Sequence, residues 1–475
     1  MKISIVEFKK IKNSLSYRFD AEYFHPTALL YEDRINKLNS KTIEDYGCQV
    51  VSGPFGSSLK SEAYLDSGIP FIRISDLRDF IIDNSELIYI SKEDHRRLSS
   101  SRLSIGDLVL SKVGNTIGIV SIIIEEIGES NISENNIGIR FPKNILNEEK
   151  RFILVFLNST PGQSQILRCI SGNAQPKLNV SDVNNIKIPH FQSHTLRIIS
   201  ELLLKSTFFI EYSKKNYQQA EQILLSELGL LSSKPKHRSS YIKKFSDTQS
   251  SGRIDAEYFQ PMYEEIVKKI RDYKKGYKPL GEIVKTKDRN FIPKDEAVYR
   301  YIELANISAN GNINGCIEAS GKELPTRARR KVNTGDVIVS SIEGSLSSIA
   351  LISDDLDGAL CSTGFFVVNS DKINSETLLV LFKSPVGQLQ LKKGCSGTIL
   401  TAIGSDEFKK ITLPEIPAAI QREIKHNIKK MYEAKALSKH LLDIARQGVE
   451  LAIEKTEKTA QEWINIETKK LGIKI

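Results

Sequence analysis

Phrases from the first half of this chain return, in the same order, in the second. Arg18-Phe19-Asp20-Ala21-Glu22-Tyr23-Phe24-His25-Pro26 comes back as Arg253-Ile254-Asp255-Ala256-Glu257-Tyr258-Phe259-Gln260-Pro261, 235 residues later. Gly106-Asp107-Leu108-Val109-Leu110-Ser111 comes back as Gly335-Asp336-Val337-Ile338-Val339-Ser340, at an offset of 229. Pro161-Gly162-Gln163-Ser164-Gln165 is matched by Val386-Gly387-Gln388-Leu389-Gln390, at 225. Ser171-Gly172 ahead of Ile186-Lys187-Ile188-Pro189 is matched by Ser396-Gly397 ahead of Ile411-Thr412-Leu413-Pro414, again at 225. Chance matches do not stay collinear over two whole halves, so the chain is read as an internal duplication. The alternative is one long irregular β domain with recurring turn phrases.

Each half has the same order of segments. A short amphipathic helix comes first, over Tyr17–Leu38 and Ala256–Tyr273. About 150 residues rich in Ile, Val, Ser, Gly and Asn follow, with short β-type runs between turn signals. Gly68-Ile69-Pro70-Phe71-Ile72-Arg73-Ile74 and Tyr299-Arg300-Tyr301-Ile302-Glu303-Leu304 are examples. A long helix closes each half. In the first, Leu196, Leu203, Ile210, Tyr217, Leu224 and Leu231 recur every seven residues and so share one stripe. The interleaved Ser206, Ser213 and Ala220 are small and permit close helix–helix approach. In the second, from Ala418 to about Ile466, Leu437, Leu441, Ile444, Gly448 and Leu451 recur at spacings of four and three. A helix of about 38 residues is a rod of roughly 57 Å. Packing of both helices onto the β modules is the other use for such stripes. Between the halves, GLLSSKPKHRSSYIKK (229–244) reads as a linker. The expected fold class is therefore α+β, with two similar β-rich domains, each followed by a long helix. If the second helix runs back along the first, they form an antiparallel coiled coil with a pseudo-two-fold. The domains fall at 1–190, 251–416, with helices at 191–232 and 417–475 and a linker at 233–250.

Composition limits the class of protein. The 475 residues are 40% hydrophobic and 26% charged, which are globular values. Lys and Arg number 67 against 58 Asp and Glu, giving a net charge of +9 that permits a polyanionic partner. The five cysteines, Cys48, Cys169, Cys316, Cys361 and Cys395, are odd in number and widely spaced, which fits a reducing cytoplasm better than a disulfide framework. The N-terminus MKISIVEFKKIKNSL is too polar for a secretory signal, and no run of about 18 apolar residues is present, so no membrane partner is expected.

Catalytic signatures are missing. The sequence has no GxxxxGK[ST] phosphate loop, no GxSxG elbow and no HExxH helix. It has no Asn/Asp-Pro-Pro-Tyr stretch for amino-methyl transfer. Its seven histidines are scattered without metal-ligand spacing. Glu148-Glu149-Lys150 and Glu467-Thr468-Lys469 are acidic-x-Lys triplets of the kind any charged chain contains. Recognition or scaffolding is favoured over catalysis, with a self-contained nuclease and a scaffold that binds no DNA as the competing functions.

A duplicated β-rich module followed by a long helix resembles the specificity (S) subunit of type I restriction–modification systems. The phrases that carry the resemblance are Gly53-Pro54-Phe55-Gly56-Ser57-Ser58-Leu59-Lys60 with Tyr64 and Gly68–Arg73, then Gly106–Lys112 with the turn Gly114–Gly118, then Ser171-Gly172-Asn173-Ala174-Gln175-Pro176-Lys177-Leu178. The second half departs from it: it has no GPFGS phrase, reads SSIEGS where the first half reads SKVGNT, and closes on Ser396-Gly397-Thr398-Ile399-Leu400. The resemblance implies a non-catalytic subunit of a phage-defence complex. Two target recognition domains would each read half of a bipartite, asymmetric site on double-stranded DNA. The long helices would act as spacer and dock two adenine methyltransferase subunits, which restriction subunits join. No cofactor is expected on this chain; S-adenosylmethionine, ATP and Mg belong to the partners.

Under that resemblance, the DNA-binding candidates in the first half are Lys60, Arg73, Arg78, Lys112, Asn115, Thr116, Gln175 and Lys177. In the second they are Arg327, Arg329, Arg330, Lys331, Ser341 and Ser345. Lys and Arg suit phosphate and guanine, Asn and Gln suit adenine. Arg73 also reads as a solvated strand residue, Arg327–Lys331 as a solvated charge run, and Asn115 as a turn former. Leu196, Leu203, Ile210, Tyr217, Leu224, Leu437, Leu441, Ile444 and Leu451 are the candidates for partner binding along the helices. The repeated Asp20/Asp255, Glu22/Glu257 and Tyr23/Tyr258 read as helix caps, or as a contact with the methyltransferase.

Overall fold

The computed structural model describes residues 5–12, 20–54, 56–172, 176–233, 235–287, 289–307, 311–397 and 401–475. Chain contacts divide it into two units, Met1–Ile210 with Lys435–Ile475, and Glu211–Ala434.

In the first unit eight short strands form two sheets: β1 (Gln49–Ser52), β2 (Ile69–Ile72), β3 (Ile88–Ile90), β4 (Arg102–Leu103), β5 (Leu108–Ser111), β6 (Val120–Ile122), β7 (Ser130–Ile132) and β8 (Asn136–Arg140). One sheet has the order β1-β8-β5-β6 and the other β3-β2-β7-β4. The second unit has β9 (Lys285–Thr286), β10 (Val298–Ile302), β11 (Ile317–Ser320), β12 (Ala328–Lys331), β13 (Val337–Ser340), β14 (Ile349–Leu351), β15 (Leu360–Ser362) and β16 (Phe365–Asn369). Its sheets run β9-β16-β13-β14 and β11-β10-β15-β12, the same order strand for strand. The register is shared too: Leu108 faces Ile139 as Val337 faces Val368. A parallel pair of strands in each unit, β2 with β7 and β10 with β15, falls at the same place.

The sheets stack because their strands alternate. Val109 points between the two sheets, into a core with Ile72, Leu103 and Ile132. Leu108 and Leu110, its neighbours, point the other way, onto the helix Asn147–Leu157. In the second unit Ile338 packs between sheets and Val337 and Val339 pack onto the helix Ser375–Lys383. Both units are therefore three layers: sheet, sheet, helices.

The repeated phrases are the joints of this frame. Gly106 and Gly335 sit at φ +90° and +84°, a region an L side chain enters at a cost, and open the tight turn into β5 and β13. Asp107 then accepts from the backbone N–H of Ser104 at 2.8 Å and Phe141 at 3.0 Å. Asp336 does the same for Asn333 at 2.8 Å. In the Gly-Gln-x-Gln phrase a Cβ on Gly162 would lie 2.0 Å from the Phe156 carbonyl oxygen, and on Gly387 2.5 Å from that of Leu381. Gln165 donates to the Lys187 carbonyl at 2.8 Å and accepts from its N–H at 2.9 Å. Gln390 makes the same two bonds with Thr412, at 3.0 and 2.8 Å. Asp20 and Asp255 each accept from the N–H three residues on, of Tyr23 and Tyr258, at 2.9 Å. The helices that follow begin at the prolines, over Pro26–Lys37 and Pro261–Arg271, later than the expected starts at 17 and 256. Proline fixes φ and lacks the N–H that a first turn leaves unpaired, so it marks the first helical position. Residues 17–19 of the expected first helix lie outside the described residues.

The long helices are α1 (Ser193–Glu227) and α2 (Ala418–Glu454). The closing helix expected from Ala418 to about Ile466, with a C-terminal tail to 475, is instead two. α2 ends at Glu454, and α3 (Glu457–Lys470) starts afresh with Thr456 as its cap, the Thr456 hydroxyl accepting from the Thr459 N–H. In the first unit α1 and α2 run antiparallel. Ile199 lies beside Gly448, and the buried hydroxyls of Ser206 and Ser438 share a 2.8 Å hydrogen bond. In the second unit, Ala220 and Leu224 pack with Ile424, Ile428 and Met431. The line buried most completely on α1 is Ile199, Ser206, Ser213 and Ala220, so the small residues hold the middle of the seam. Leu196, Leu203 and Leu224 are buried alongside it, Ile210 and Tyr217 are half-buried, and Leu231 is exposed beyond the helix end. On α2 Leu441 and Ile444 are buried, while Leu437 and Leu451 lie at the margin. No helix among the described residues is long and apolar enough to cross a membrane.

Candidate nucleic-acid interface

Three loops of the first unit meet at the end of β5. The Lys112 N–H donates to the Asn135 carbonyl at 2.9 Å, which brings in the β7–β8 turn. The Lys112 carbonyl accepts from the Leu178 N–H at 3.0 Å, which brings in the strand Lys177–Leu178. The Lys112 ammonium donates to the Ser52 hydroxyl at 3.1 Å, at the end of β1. Half-burial holds the Lys112 pKa below the ordinary lysine value. Neighbouring Lys177 pushes it the same way, and Glu134 opposes both. Lys177 and Glu134 are exposed, and the Glu134 carboxylate accepts from the Gly56 N–H. Thr116 is exposed on the turn Gly114–Thr116, whose last carbonyl accepts from the Ser111 hydroxyl. Lys60 is exposed on the Gly53–Lys60 loop. Lys112, Thr116 and Lys177 are thus gathered around one strand end.

Arg73 and Arg78 are elsewhere and are committed. The Arg73 guanidinium holds buried Asp76 at 2.9 Å and the Glu86 carbonyl at 2.8 Å. Arg78 donates to the Ser75 and Leu77 carbonyls, both at 2.7 Å, and meets Asp83 at 3.4 Å. Both arginines lock the loop between β2 and β3, a use that strand composition alone does not reveal. Gln175 lies outside the described residues, as does the side chain of Asn115.

In the second unit Arg327 is exposed, and its carbonyl accepts from the Thr363 N–H at 2.9 Å. Arg329 donates to the Thr326 carbonyl at 3.1 Å. Lys331 is exposed, its ammonium 5.6 Å from the centre of the Phe291 ring. Arg330 is half-buried, with Nε and Nη1 enclosed and unpartnered among the described residues. Ser341 stands where Lys112 stands in the first unit, donating its hydroxyl to the Gly364 carbonyl at 2.9 Å. The Ser345 hydroxyl pairs with that of Ser340 at 3.0 Å.

The apolar residues expected to bind partners along the helices mostly face the seam, where they hold the chain's own helices together. A large exposed apolar set on α1 is Leu204, Phe208 and Tyr212, four residues apart and so on one face. It went unnoticed because its period is four rather than seven. Sequence reading also missed Glu134 and Ser52, which no repeat phrase marks.

Among the described residues no group of His, Cys, Asp or Glu is placed to hold a metal ion. Burial pushes the Cys48 thiol up to about 12 and Cys395 up to about 11, away from a reactive thiolate.

The molecule is thus a duplicated α+β protein with two like units and a pair of long helices. No protein-family model matches the chain, and no curated protein matches it. Among solved structures it is similar to the S subunit of a type I restriction–modification system from M. genitalium, at 12% identity over 90% of this chain and 96% of that one, with a TM-score of 0.36. It is also similar to the HsdS subunit from Thermoanaerobacter tengcongensis, at 13% identity over 86% and 97%, with a TM-score of 0.26.

Proposed function

We propose that this chain is the sequence-specific DNA-recognition subunit of a type I restriction–modification complex. Each unit reads one half of a bipartite, asymmetric site on double-stranded DNA. The long helices space the two readers and dock two methyltransferase subunits, to which restriction subunits add. The chain itself cleaves and methylates nothing; S-adenosylmethionine, ATP and Mg act on the partners.

The observation that carries this is duplication of frame without duplication of surface. Strand order, register and the Gly, Asp and Gln joints agree between the units. The residues around the end of β5 and of β13 do not: half-buried Lys112 and exposed Lys177 stand against half-buried Ser341 and Ala402. Two readers of one architecture that present different side chains suit a site with two different halves. The net charge of +9 suits a phosphate backbone.

The test is expression of the chain with an adenine methyltransferase partner in a host free of other methylation, followed by mapping of methylated adenines. One bipartite motif with a fixed gap is the expected result. Incubation of the purified chain alone with DNA and Mg²⁺ separates the competing enzyme: cleavage without partners overturns the proposal. Absence of salt-dependent DNA binding by the assembled complex would leave a scaffold instead.

A further inference from the structure

The two units can be compared position by position where their loops meet. The Lys112 N–H donates to the Asn135 carbonyl at 2.9 Å, and the Ser341 N–H to the Gly364 carbonyl at 2.9 Å. The Lys112 carbonyl accepts from Leu178 at 3.0 Å, and the Ser341 carbonyl from Ile403 at 2.8 Å. Val113 bridges Lys177 as Ile342 bridges Ala402. Ser171 faces Lys177 as Ser396 faces Ala402. The same three backbone segments therefore converge in both units, and only the side chains differ. Lys112, Glu134 and Lys177 in one are Ser341, Thr363 and Ala402 in the other. Lys177, Glu134 and Thr363 are exposed, and Lys112, Ser341 and Ala402 are half-buried.

Residues that hold the fold together are the same in both units, as the paired glutamines and aspartates show. At this place the frame is kept while charge, length and hydrogen-bonding character all change, so the frame does not depend on them. Resting on the DNA-recognition function above, we propose that this is the specificity slot of each unit, in which Lys112 and Lys177 read a guanine and Ser341, with Ala402, reads an A·T pair. Guanine presents two acceptors, O6 and N7, to the major groove, and two neighbouring lysines carry donors for both. A cation already half stripped of water gains more from such acceptors than a fully hydrated one. A serine hydroxyl takes the adenine edge, and an alanine methyl packs against the thymine methyl.

Glu134 has a different task. Its carboxylate accepts from the Gly56 N–H and so ties the Gly53–Ser58 loop to the slot. The second half has neither the GPFGS phrase nor the carboxylate, having Thr363 instead. Loop and anchor are present together or absent together, which makes Glu134 a positioning residue.

The experiment uses the assembled complex with its methyltransferase and reads methylated adenines by sequencing. Lys112→Ser with Lys177→Ala installs the second unit's residues in the first. The guanine requirement at one position of one half-site is expected to weaken about tenfold or more, with the other half-site and the gap unchanged. Lys112→Arg with Lys177→Arg keeps the donors and is expected to keep the guanine. An unchanged motif overturns the assignment. So does a uniform loss of methylation at every site, which marks phosphate contacts in place of base reading. If the double variant fails to assemble, Lys177→Ala alone, at an exposed position, is scored by the same criteria. A wild-type complex that methylates no defined motif defeats the recognition function itself, whatever the slot does.

Discussion

At the scale of single residues, the repeated glutamines turn out to be connectors between backbone segments. Gln390 is nearly inaccessible, and its amide satisfies both the N–H and the carbonyl of Thr412. Gln165 makes the same pair of bonds with Lys187 but is half-buried. An unsatisfied buried backbone group costs about 1–3 kcal/mol, and water relieves part of that where it can enter. Gln390→Ala is therefore expected to cost about 2 kcal/mol or more and Gln165→Ala less, a ranking that urea titration of the two variants checks. A second residue-scale case is Lys383, where burial pushes the ammonium down to about 8 from an ordinary 10.5 and nearby Glu221 pulls it back up. The same burial pushes the Glu221 carboxyl above its ordinary value. Because the folded-state lysine pKa is the lower one, the unfolded chain binds more protons between pH 8 and 10.5, and the lysine's contribution to stability rises with pH across that window. Lys383→Met is expected to flatten that rise, as read from melting temperature against pH. The residue scale is also where the sequence was least legible. Arg73 and Lys112 are both cations beside a strand. Only the three-dimensional frame shows that one is held by the Asp76 carboxylate while the other meets only the Ser52 hydroxyl, at a place where three loops converge.

At the scale of elements, the seam between α1 and α2 explains why a seven-residue pattern was visible and yet slightly displaced. The large residues at 196, 203 and 224 set the period. The small residues at 206, 213 and 220 occupy the middle, because close approach of two helices needs little side chain there. Ser206→Leu would drive a branched side chain into the place of the Ser206–Ser438 hydrogen bond. Overpacking of this kind costs about 1–3 kcal/mol. The expected result is a lower melting temperature, with Ser206→Ala far milder. The break at Lys455–Thr456 was hidden because Glu457 onwards continues an apolar helical period. What reveals α3 is Thr456 as a cap and the Glu457 carboxylate accepting from the Gln192 N–H at 3.0 Å. Strand order was not legible at all: runs of two to five residues carry little alternation and no pairing, and pairing is fixed by contacts far apart in the chain.

At the scale of the whole molecule, the duplication was legible because the joints of the frame carry the same residues in both units. Asp107 and Asp336 at the Gly-Asp turn and Gln165 and Gln390 of the Gly-Gln-x-Gln phrase each bond backbone groups, whereas exposed Asp20 and Asp255 hold only the turn before a helix whose cap is His25 or Gln260. Surface positions carry no such constraint, which is why the resemblance between halves fades around Lys112, Glu134 and Lys177. Each long helix contributes residues to both units, α1 through Ile199 and Ala220, α2 through Ile424 and Ala445. If the helices space the readers, the gap between half-sites must follow helix length. Seven residues added to the middle of α1 and seven to the middle of α2 lengthen each by about 10.5 Å and turn it by nearly two whole turns. The seam then stays in phase, which a four-residue insertion would not achieve. On DNA that length corresponds to about three base pairs. The methylated motif of such a variant is expected to keep both half-sites and to widen its gap by about three base pairs. An unchanged gap would show that the helices do not act as the spacer.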